Sequence, residues 1–527
     1  MLEPTASGQT FVDSNSATTV NTNNLNIKAA LAWLCLSGLS GASMTLGLAP
    51  WDYWLVPIAG FAIFAWILTL RLSPFLTAFF FGSGFFATGA SWVYVSIHQY
   101  GGTSAPLAVV FTSLFVLMLG FVFALPFFVF RKIVGYNRSA ILLFAAPAFW
   151  IFSEWLRGWL LTGFPWLYLG YGHIHSPLAG WAPIGGVLLL SLIAVCTGSW
   201  LLEAARQLYR NQERLKPILI SIKVASWWVI GLWLSSIQWV QPTGDDIKVG
   251  LVQPNIPQEL KWVPEFRKPT LDRLTFMTEQ LADNDWVIWP EAAIPTLYRG
   301  AKPFLDKMAL KADQENTVII TGVLYQNPDN GRVHNSIVAL GEHGEGFYHK
   351  TRLVPFGEYV PLEDWIRGLI ELFDLPQSII IPGPSGQSGL VANGHKIAPS
   401  VCYEVVYPTL VAHYAKDSEV LLTISNDAWF GDSIGPLQHM EMAQMRALEN
   451  QRFMIRATNN GVSALVNAKG EITKSTAQFT QEVLSGTITP LQGSTPFMLL
   501  GHYPILILCA LLLAASLFVK RKEDSVN

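Results

Sequence analysis

The chain has 527 residues, of which 51% are hydrophobic and only 13% charged, with 20 Trp and 31 Phe. Its mean hydropathy is +0.35, and a soluble globule of this size needs about twice as many charges to cover its surface. The net charge of −3 argues against a nucleic-acid footprint, which needs a basic face.

The first 26 residues are rich in Ser, Thr and Asn and lack a basic run. They read as a disordered tail rather than a cleavable signal peptide. From there to residue 240 the chain is strongly apolar, and a bilayer-spanning helix needs about 20 such residues. Seven spans are predicted, near 27–47, 52–70, 75–97, 105–130, 139–157, 177–202 and 217–238, with an eighth near 497–519. Basic residues gather at Arg71, at Arg131, Lys132 and Arg138, at Arg206, Arg210, Arg214 and Lys216, and in "KRK" at 520–522, while the alternate loops nearly lack them. Under the positive-inside rule the N terminus is cytoplasmic. Seven crossings then put the segment 241–495 on the far side, and the 496–519 span returns the chain to a basic tail, 520–527.

One membrane stretch, "FSEWLRGWLLTGFPWLYLGYG" at 152–172, is more than apolar filler. Glu154 and Arg157 are three apart, so they share a helix face and are expected to pair. The plainer reading is a snorkelling pair in an aromatic belt; the functional one is a lining for a lipid headgroup or a lid, with Glu154, Arg157 and Trp166 as lipid contacts.

Residues 241–495 have ordinary composition. The runs "IKVGLVQP", "WVIWPEAA", "TVIITGVL", "NSIVALG", "HKIAPSVC", "VLLTISND" and "SALVNAKG" read as buried strands. Helical patterns intervene: "PTLDRLTFMTEQLAD", with Leu271, Leu274, Met277 and Leu281 on one stripe, and "MEMAQMRALENQRFMIRAT" from 440. Alternating strands and helices make an α/β layered domain, whose functional groups gather where strands end. Glu291 follows "WVIWP", Cys402 follows "IAPSV", and Asn426 and Asp427 follow "VLLTIS"; Lys350 and Glu358 lie in "YHKTRLVPFGEYVP".

Cys35, Cys196 and Cys509 lie in apolar runs, where cysteine acts as a small hydrophobe. Cys402 stands alone in the polar half, with no partner at disulfide spacing. A thiol becomes a nucleophile when a base takes its proton or a cation stabilises its anion. Glu291 suits the base, and Lys350 suits the holder of thiolate and oxyanion; attack on a carbonyl gives a thioester. Against this stands the common reading of a structural Cys and surface-solvating Glu and Lys. Metal-ligand spacings and phosphate-binding glycine loops are absent from the sequence, and no cofactor is expected.

"WPEAAIP", "YHKTRLVPFGEYVPLE" and "SVCYEVVYP" resemble the Glu–Lys–Cys motifs of the nitrilase (carbon–nitrogen hydrolase) superfamily. With "GASWVYVSIHQYGG", "EWLRGWLLTGFPWLYLGY" and "TISNDAWFGDSIGPLQHMEMAQMRALENQRFMIRATNNGVSA", the chain resembles the bacterial apolipoprotein N-acyltransferases from about 27 to 520. The resemblance implies an αββα nitrilase-like domain inserted in a polytopic helical membrane protein of about eight spans. It implies that Cys402 is the acylated nucleophile, Glu291 the base and Lys350 the stabilising lysine. Glu358, Tyr403 and Glu404 would support them, and Trp429, with Asn426 beside it, would help form a pocket and a mobile loop. The reaction implied moves an acyl chain from sn-1 of a phospholipid, typically phosphatidylethanolamine, through a thioester to the α-amine of a diacylglyceryl-cysteine on an apolipoprotein. The setting implied is the bacterial inner membrane, with the catalytic domain periplasmic and both termini cytoplasmic. Nothing in the sequence demands more than a monomer. The segment "LEDWIRGLIELFDLP" at 362–376 suits a cover over the site. Two alternatives compete: a membrane-tethered amidase that uses water as acceptor, and a transporter with an inactive α/β module.

Overall fold

The computed structural model describes residues 27–210, 214–355, 357–359 and 380–524. The tail 1–26 and the expected cover at 362–376 lie outside the described residues.

Among the described residues, six helices are long and apolar enough to cross a bilayer: Ile27–Gly47, Ala105–Val134, Arg138–Arg157, Ala179–Tyr209, Leu215–Leu234 and Tyr503–Lys520. The expected 75–97 span is a helix pair, Pro74–Gly89 and Val93–Tyr100, bent by 60° where Ala90 leaves helical geometry at φ −122°. The expected 52–70 span is a helix of 14 residues, Leu55–Leu68, or about 21 Å, against a hydrocarbon core of about 30 Å. By length and composition alone the described residues give six spans, or seven if the bent pair counts as one, and do not confirm the expected count of about eight. At 497–519 the chain makes two helices, Pro496–Leu500 and Tyr503–Asp524, because Gly501 takes φ +57°.

The helices pack closely where side chains are small. A Cβ on Gly41 would lie 1.9 Å from the Phe81 carbonyl, and one on Gly84 2.0 Å from that of Gly38. Only hydrogen at these positions lets the helices Ile27–Ser43 and Pro74–Gly89 touch main chain to main chain. Phe61, Phe64, Phe81, Phe123, Phe127 and Trp150 fill the centre of the bundle, all buried.

The rest of the chain forms two stacked sheets. In chain order the strands are β1 Val240–Pro242, β2 Ile247–Gln253, β3 Trp286–Ile288, β4 Val318–Gln326, β5 Val333–Leu340, β6 Gly344–Glu345, β7 Phe347–His349, β8 Leu390–Ala392, β9 His395–Val401, β10 Val420–Ser425, β11 Met454–Thr458, β12 Ala464–Val466, β13 Ile472–Ser475, β14 Glu482–Ile488 and β15 Leu491–Gly493. One sheet has the order β14-β2-β3-β4-β5-β7, the other β13-β12-β11-β10-β9-β8-β6. β2, β3 and β4 run parallel in the first, and β9, β10 and β11 in the second.

Side-chain alternation along the strands sorts the core into layers. Val249, Leu251, Trp286, Ile288, Val318 and Ile320 join the apolar cluster of the second sheet. Val252, Val287 and Ile319 pack with Leu274, Met277 and Leu281 of the predicted stripe and with Leu305 and Met308 of the helix Tyr298–Glu315. On the other side, helix Gly435–Asn450 covers the second sheet. It is shorter than the pattern from 440 suggests: Gln451 turns left-handed at φ +43° and ends it, and Met454–Thr458 becomes the buried strand β11. Hydrophobic periodicity cannot separate a fully buried helix end from a fully buried strand. The result is an αββα sandwich.

β1 and β15 pair antiparallel, Val240 opposite Gly493. The chain thus enters and leaves the sandwich side by side, directly after one membrane helix and before the last. Glu449, at the end of the covering helix, accepts the Val187 N–H at 2.7 Å. That N–H is freed because Gly186 breaks its membrane helix at φ +66°, so the break is satisfied from the sandwich.

Candidate active site

Four strand ends converge. Glu291 lies just past β3, Lys350 directly after β7, Cys402 directly after β9 and Asn426 directly after β10. The parallel strands of both sheets point their C-terminal ends at the same edge, the place where α/β folds collect ligands. The elbow at Cys402 is strained: its φ is +51°, a conformation that costs a non-glycine residue on the order of 1 kcal/mol or more and persists only where the surroundings fix it.

Lys350 is 1% exposed and Glu291 7%. The ammonium sits 2.8 Å from Glu358 and 3.8 Å from Glu291. Asn335 on β5 bridges the two acids, donating to Glu291 at 2.7 Å and to Glu358 at 3.2 Å. The second Glu291 oxygen accepts the Asn426 main-chain N–H at 2.8 Å. Val354 N–H donates to Glu358 at 2.8 Å. Both carboxylates are thus fixed by neutral donors as well as by the lysine, as a buried charge requires. Burial alone acts to lower the Lys350 pKa, but Glu358, Glu291 and Cys402 outweigh it and raise it above the ordinary ammonium value. A second buried lysine, Lys261, donates to the Glu291 carbonyl at 3.1 Å. Burial lowers its pKa to about 8, with Glu291 and Cys402 opposing.

Burial pushes the Cys402 thiol up to about 12; Glu291 and Asp427 add to the rise, while Lys350 and a Ser425 hydrogen bond oppose it. The resting sulfur is therefore a thiol. With it protonated, two ammonium groups face two carboxylates and the cluster is formally neutral. Moving the proton from sulfur to Glu291 keeps it neutral, whereas losing that proton to water would leave an uncompensated negative charge beside buried carboxylates, on a residue that is itself half-buried. This arrangement fits a base acting during attack rather than a thiolate waiting in advance.

Glu404 is fully buried behind the cluster. It accepts from Val401 N–H at 2.8 Å, from the Tyr348 hydroxyl at 2.9 Å, and from Thr351 N–H, Thr351 Oγ1 and Arg352 N–H at 2.7, 2.8 and 3.1 Å. One carboxylate therefore joins the end of β9 to the segment that carries Lys350. Burial raises its pKa against those hydrogen bonds.

Tyr403 turns the other way, toward the membrane helices. Its hydroxyl donates to the Gly163 carbonyl at 3.1 Å, and Tyr407 donates to Thr162 and Gly163 at 3.1 and 3.2 Å. Trp166, from the same loop, stacks on Tyr403 and on His439. Trp429 is 44% exposed; its carbonyl accepts from Ser96 at 2.7 Å and its ring meets Tyr100 edge-on. Asn426 is held through its side chain by Gln258 and Asn459.

Glu154 and Arg157 do not join this cluster, and no ion pair within 4.0 Å joins them to each other. Glu154 accepts the Leu169 N–H at 2.7 Å. Arg157 donates to the carbonyls of Phe164 and Trp166, and its guanidinium lies over Phe86 and Tyr168. Each serves main-chain groups of the loop after its helix, and both are buried.

The "Apolipoprotein N-acyltransferase N-terminal domain" model matches residues 40–200, and the "Carbon-nitrogen hydrolase" model matches 248–495. An apolipoprotein N-acyltransferase of Pseudomonas syringae pv. tomato is 43% identical over 496 residues, 92% of this chain and 97% of that one. The chain belongs to the apolipoprotein N-acyltransferase family. Another member, from Photobacterium profundum, is 40% identical over 509 residues, 94% of this chain and 96% of that one. A solved carbon-nitrogen hydrolase from Helicobacter pylori is 19% identical, with a TM-score of 0.35, over 46% of this chain and 89% of that one.

Sequence reasoning did not single out Asn335, Lys261, His439 or Arg456 as site residues, and it placed Asp427 at a strand end without its buried partners. Asn335 opens the quoted run "NSIVALG", and a polar residue within a buried strand is the one signal that could have marked it. Nothing in the stretch around Lys261 separates it from a surface lysine.

Proposed function

We propose that the protein N-acylates lipoproteins by a two-stage transfer through Cys402. In the first stage the thiol attacks the sn-1 ester carbonyl of a phospholipid, with phosphatidylethanolamine the favoured donor. Glu291 takes the thiol proton as the S–C bond forms, and Lys350 faces the oxyanion. When the C–O bond breaks, Glu291 returns the proton to the leaving alcohol and a lysophospholipid departs. In the second stage the α-amine of a diacylglyceryl-cysteine attacks the thioester. Glu291 takes the amine proton, the C–S bond breaks, and the proton goes to the sulfur, restoring the thiol. The cluster ends each stage with the charge it began with, as its burial demands.

The observation that carries this reading is the strained thiol at the end of β9, held beside a buried ammonium and a carboxylate that is itself fixed by two neutral donors. Glu358 and Asn335 position Lys350 and Glu291, and Glu404 holds the strand end to the lysine segment. The exposed Trp429 and its loop, resting on the bent helix pair, suit the approach of lipid substrates. The topology consistent with both substrates is eight crossings, the short helix Leu55–Leu68 among them. That would leave the sandwich on the periplasmic face of the bacterial inner membrane and both termini in the cytoplasm, with a monomer sufficient for catalysis.

Intact-protein mass spectrometry after incubation of the purified protein with phosphatidylethanolamine tests the first stage. A fatty-acyl increment on the peptide holding Cys402, discharged by a diacylated lipopeptide to give an amide, is expected. Acylation elsewhere, or discharge to water alone, refutes the scheme.

A further inference from the structure

We propose that His439 is a positioning residue for the nucleophile, tying the main chain of Cys402 to the aromatic loop of the membrane half. The inference rests on the reading of Cys402 as the acyl carrier. His439 lies on the helix that covers the second sheet, and its ring is buried. Nε2 is 3.2 Å from the Cys402 carbonyl oxygen. A carbonyl only accepts, so Nε2 carries the hydrogen. Nδ1 is 3.1 Å from Asp427 Oδ1 and 3.1 Å from Arg456 Nη2. Arg456 also donates to Asp427 at 2.7 Å, and Ser425 donates to the same carboxylate at 2.6 Å.

Burial and the neighbouring Arg456 lower the imidazole pKa, against Asp427. The ring is then neutral, with its hydrogen on Nε2 and its Nδ1 lone pair accepting from Arg456. The tautomer that grips the Cys402 carbonyl is fixed from behind by an ion pair. What the grip holds is the peptide plane that follows a residue at φ +51°, and with it the direction in which the sulfur leaves the chain.

The ring's other contacts lead to the membrane half. Trp166 stacks on His439 with centroids 5.5 Å apart and planes 28° from parallel. Its indole N–H donates to Gln438, the preceding residue, at 2.7 Å. Phe430, from the loop that carries Trp429, meets the same imidazole edge-on at 5.9 Å. A displacement of the aromatic segment at 164–168 therefore reaches Cys402 through one ring.

The test uses the full-length protein with phosphatidylethanolamine vesicles, reading the single-turnover rate of acylation at Cys402, its dependence on lipid concentration, and thermal melting. A ring that merely fills space is replaceable by an apolar side chain; one that donates from Nε2 is replaceable only by another donor at that reach. His439→Met is expected to slow acylation at saturating lipid by about tenfold to a hundredfold, with half-saturation little changed, while His439→Gln returns to within about threefold of the parent rate. Equal rates in His439→Met and the parent, or equal losses in Met and Gln, overturn the proposal. If His439→Met melts below the assay temperature, Trp166→Phe and Trp166→Leu carry the test: the Phe variant keeps the stack and the rate, the Leu variant loses the rate, and identical rates overturn it. Acyl mass found off Cys402 in the parent protein would instead sink the nucleophile reading, an outcome separable from both.

Discussion

The two halves of the molecule each bury acids and bases close in sequence or space, and they use them differently. In the membrane half, Glu154 and Arg157 form no ion pair within 4.0 Å and satisfy main-chain groups of one loop. In the sandwich, Glu291, Glu358 and Lys350 face one another across a few ångströms, with a thiol beside them. Burial of charge is costly in both places. In the first it is offset by hydrogen bonds that shape the chain. In the second it creates a cluster whose inexpensive proton movement is an internal one, and the proposed chemistry rests on that.

The sharpest ways to break this contrast begin with the sulfur. Cys402→Ala should abolish the acyl adduct and the amide product, a loss of about 10⁴-fold or more in turnover, read by mass spectrometry and lipopeptide assay. Glu291→Gln should slow acylation by about 10²- to 10⁴-fold. The same variant removes a negative charge that raises the thiol pKa, so Cys402 should be alkylated more readily at a given pH even as transfer fails. Both changes moving together would contradict the base role.

Lys350→Ala should slow both half-reactions by about 10²- to 10³-fold. It also strands two buried carboxylates, so unfolding should become easier by about 3–5 kcal/mol, measurable as a lower melting temperature. In the parent protein the thiol is pushed up to about 12. Iodoacetamide labelling of the Cys402 peptide should therefore keep rising in proportion to hydroxide past pH 10, whereas an ordinary thiol levels off above a pKa of about 8.5. A plateau near pH 9 would show a thiolate formed in advance.

The smallest effect lies in the membrane half. Glu154→Gln keeps an acceptor for Leu169 N–H and should leave turnover within about twofold, while Glu154→Leu orphans that N–H and lowers stability by about 1–3 kcal/mol without altering the rate of the folded protein. Identical consequences for Glu154→Gln and Glu291→Gln would erase the distinction between the halves.

Much of the architecture was readable from local pattern. Short β-branched runs ending in Glu291, Cys402 and Asn426 gave the strands and hinted at a shared edge, and the motifs around Lys350 and Glu358 gave the family. The errors arose where local pattern is silent. Mean apolarity does not reveal that Ala90 ends a helix or that Gly501 turns left-handed, so one expected span is bent and another split. The run from 440 to 458 is buried on all sides, and periodicity therefore carried helix into strand. The pairing expected from the three-residue spacing of Glu154 and Arg157 lost to nearer main-chain partners. Asn335, Lys261 and His439 enter the site through tertiary proximity alone, across separations in sequence that no window spans.

The hydroxyls of Tyr403 and Tyr407 end on the carbonyls of Thr162 and Gly163, within the membrane half. Excising the sandwich as a water-soluble fragment would leave both phenols without those acceptors, next to Cys402 in the chain, and strip Trp166 from the imidazole behind it. The hydrolase-like module is thus not a detachable cartridge: its membrane-helix neighbour supplies one wall of the proposed site, and solubilising it would unmake the site that one hoped to study.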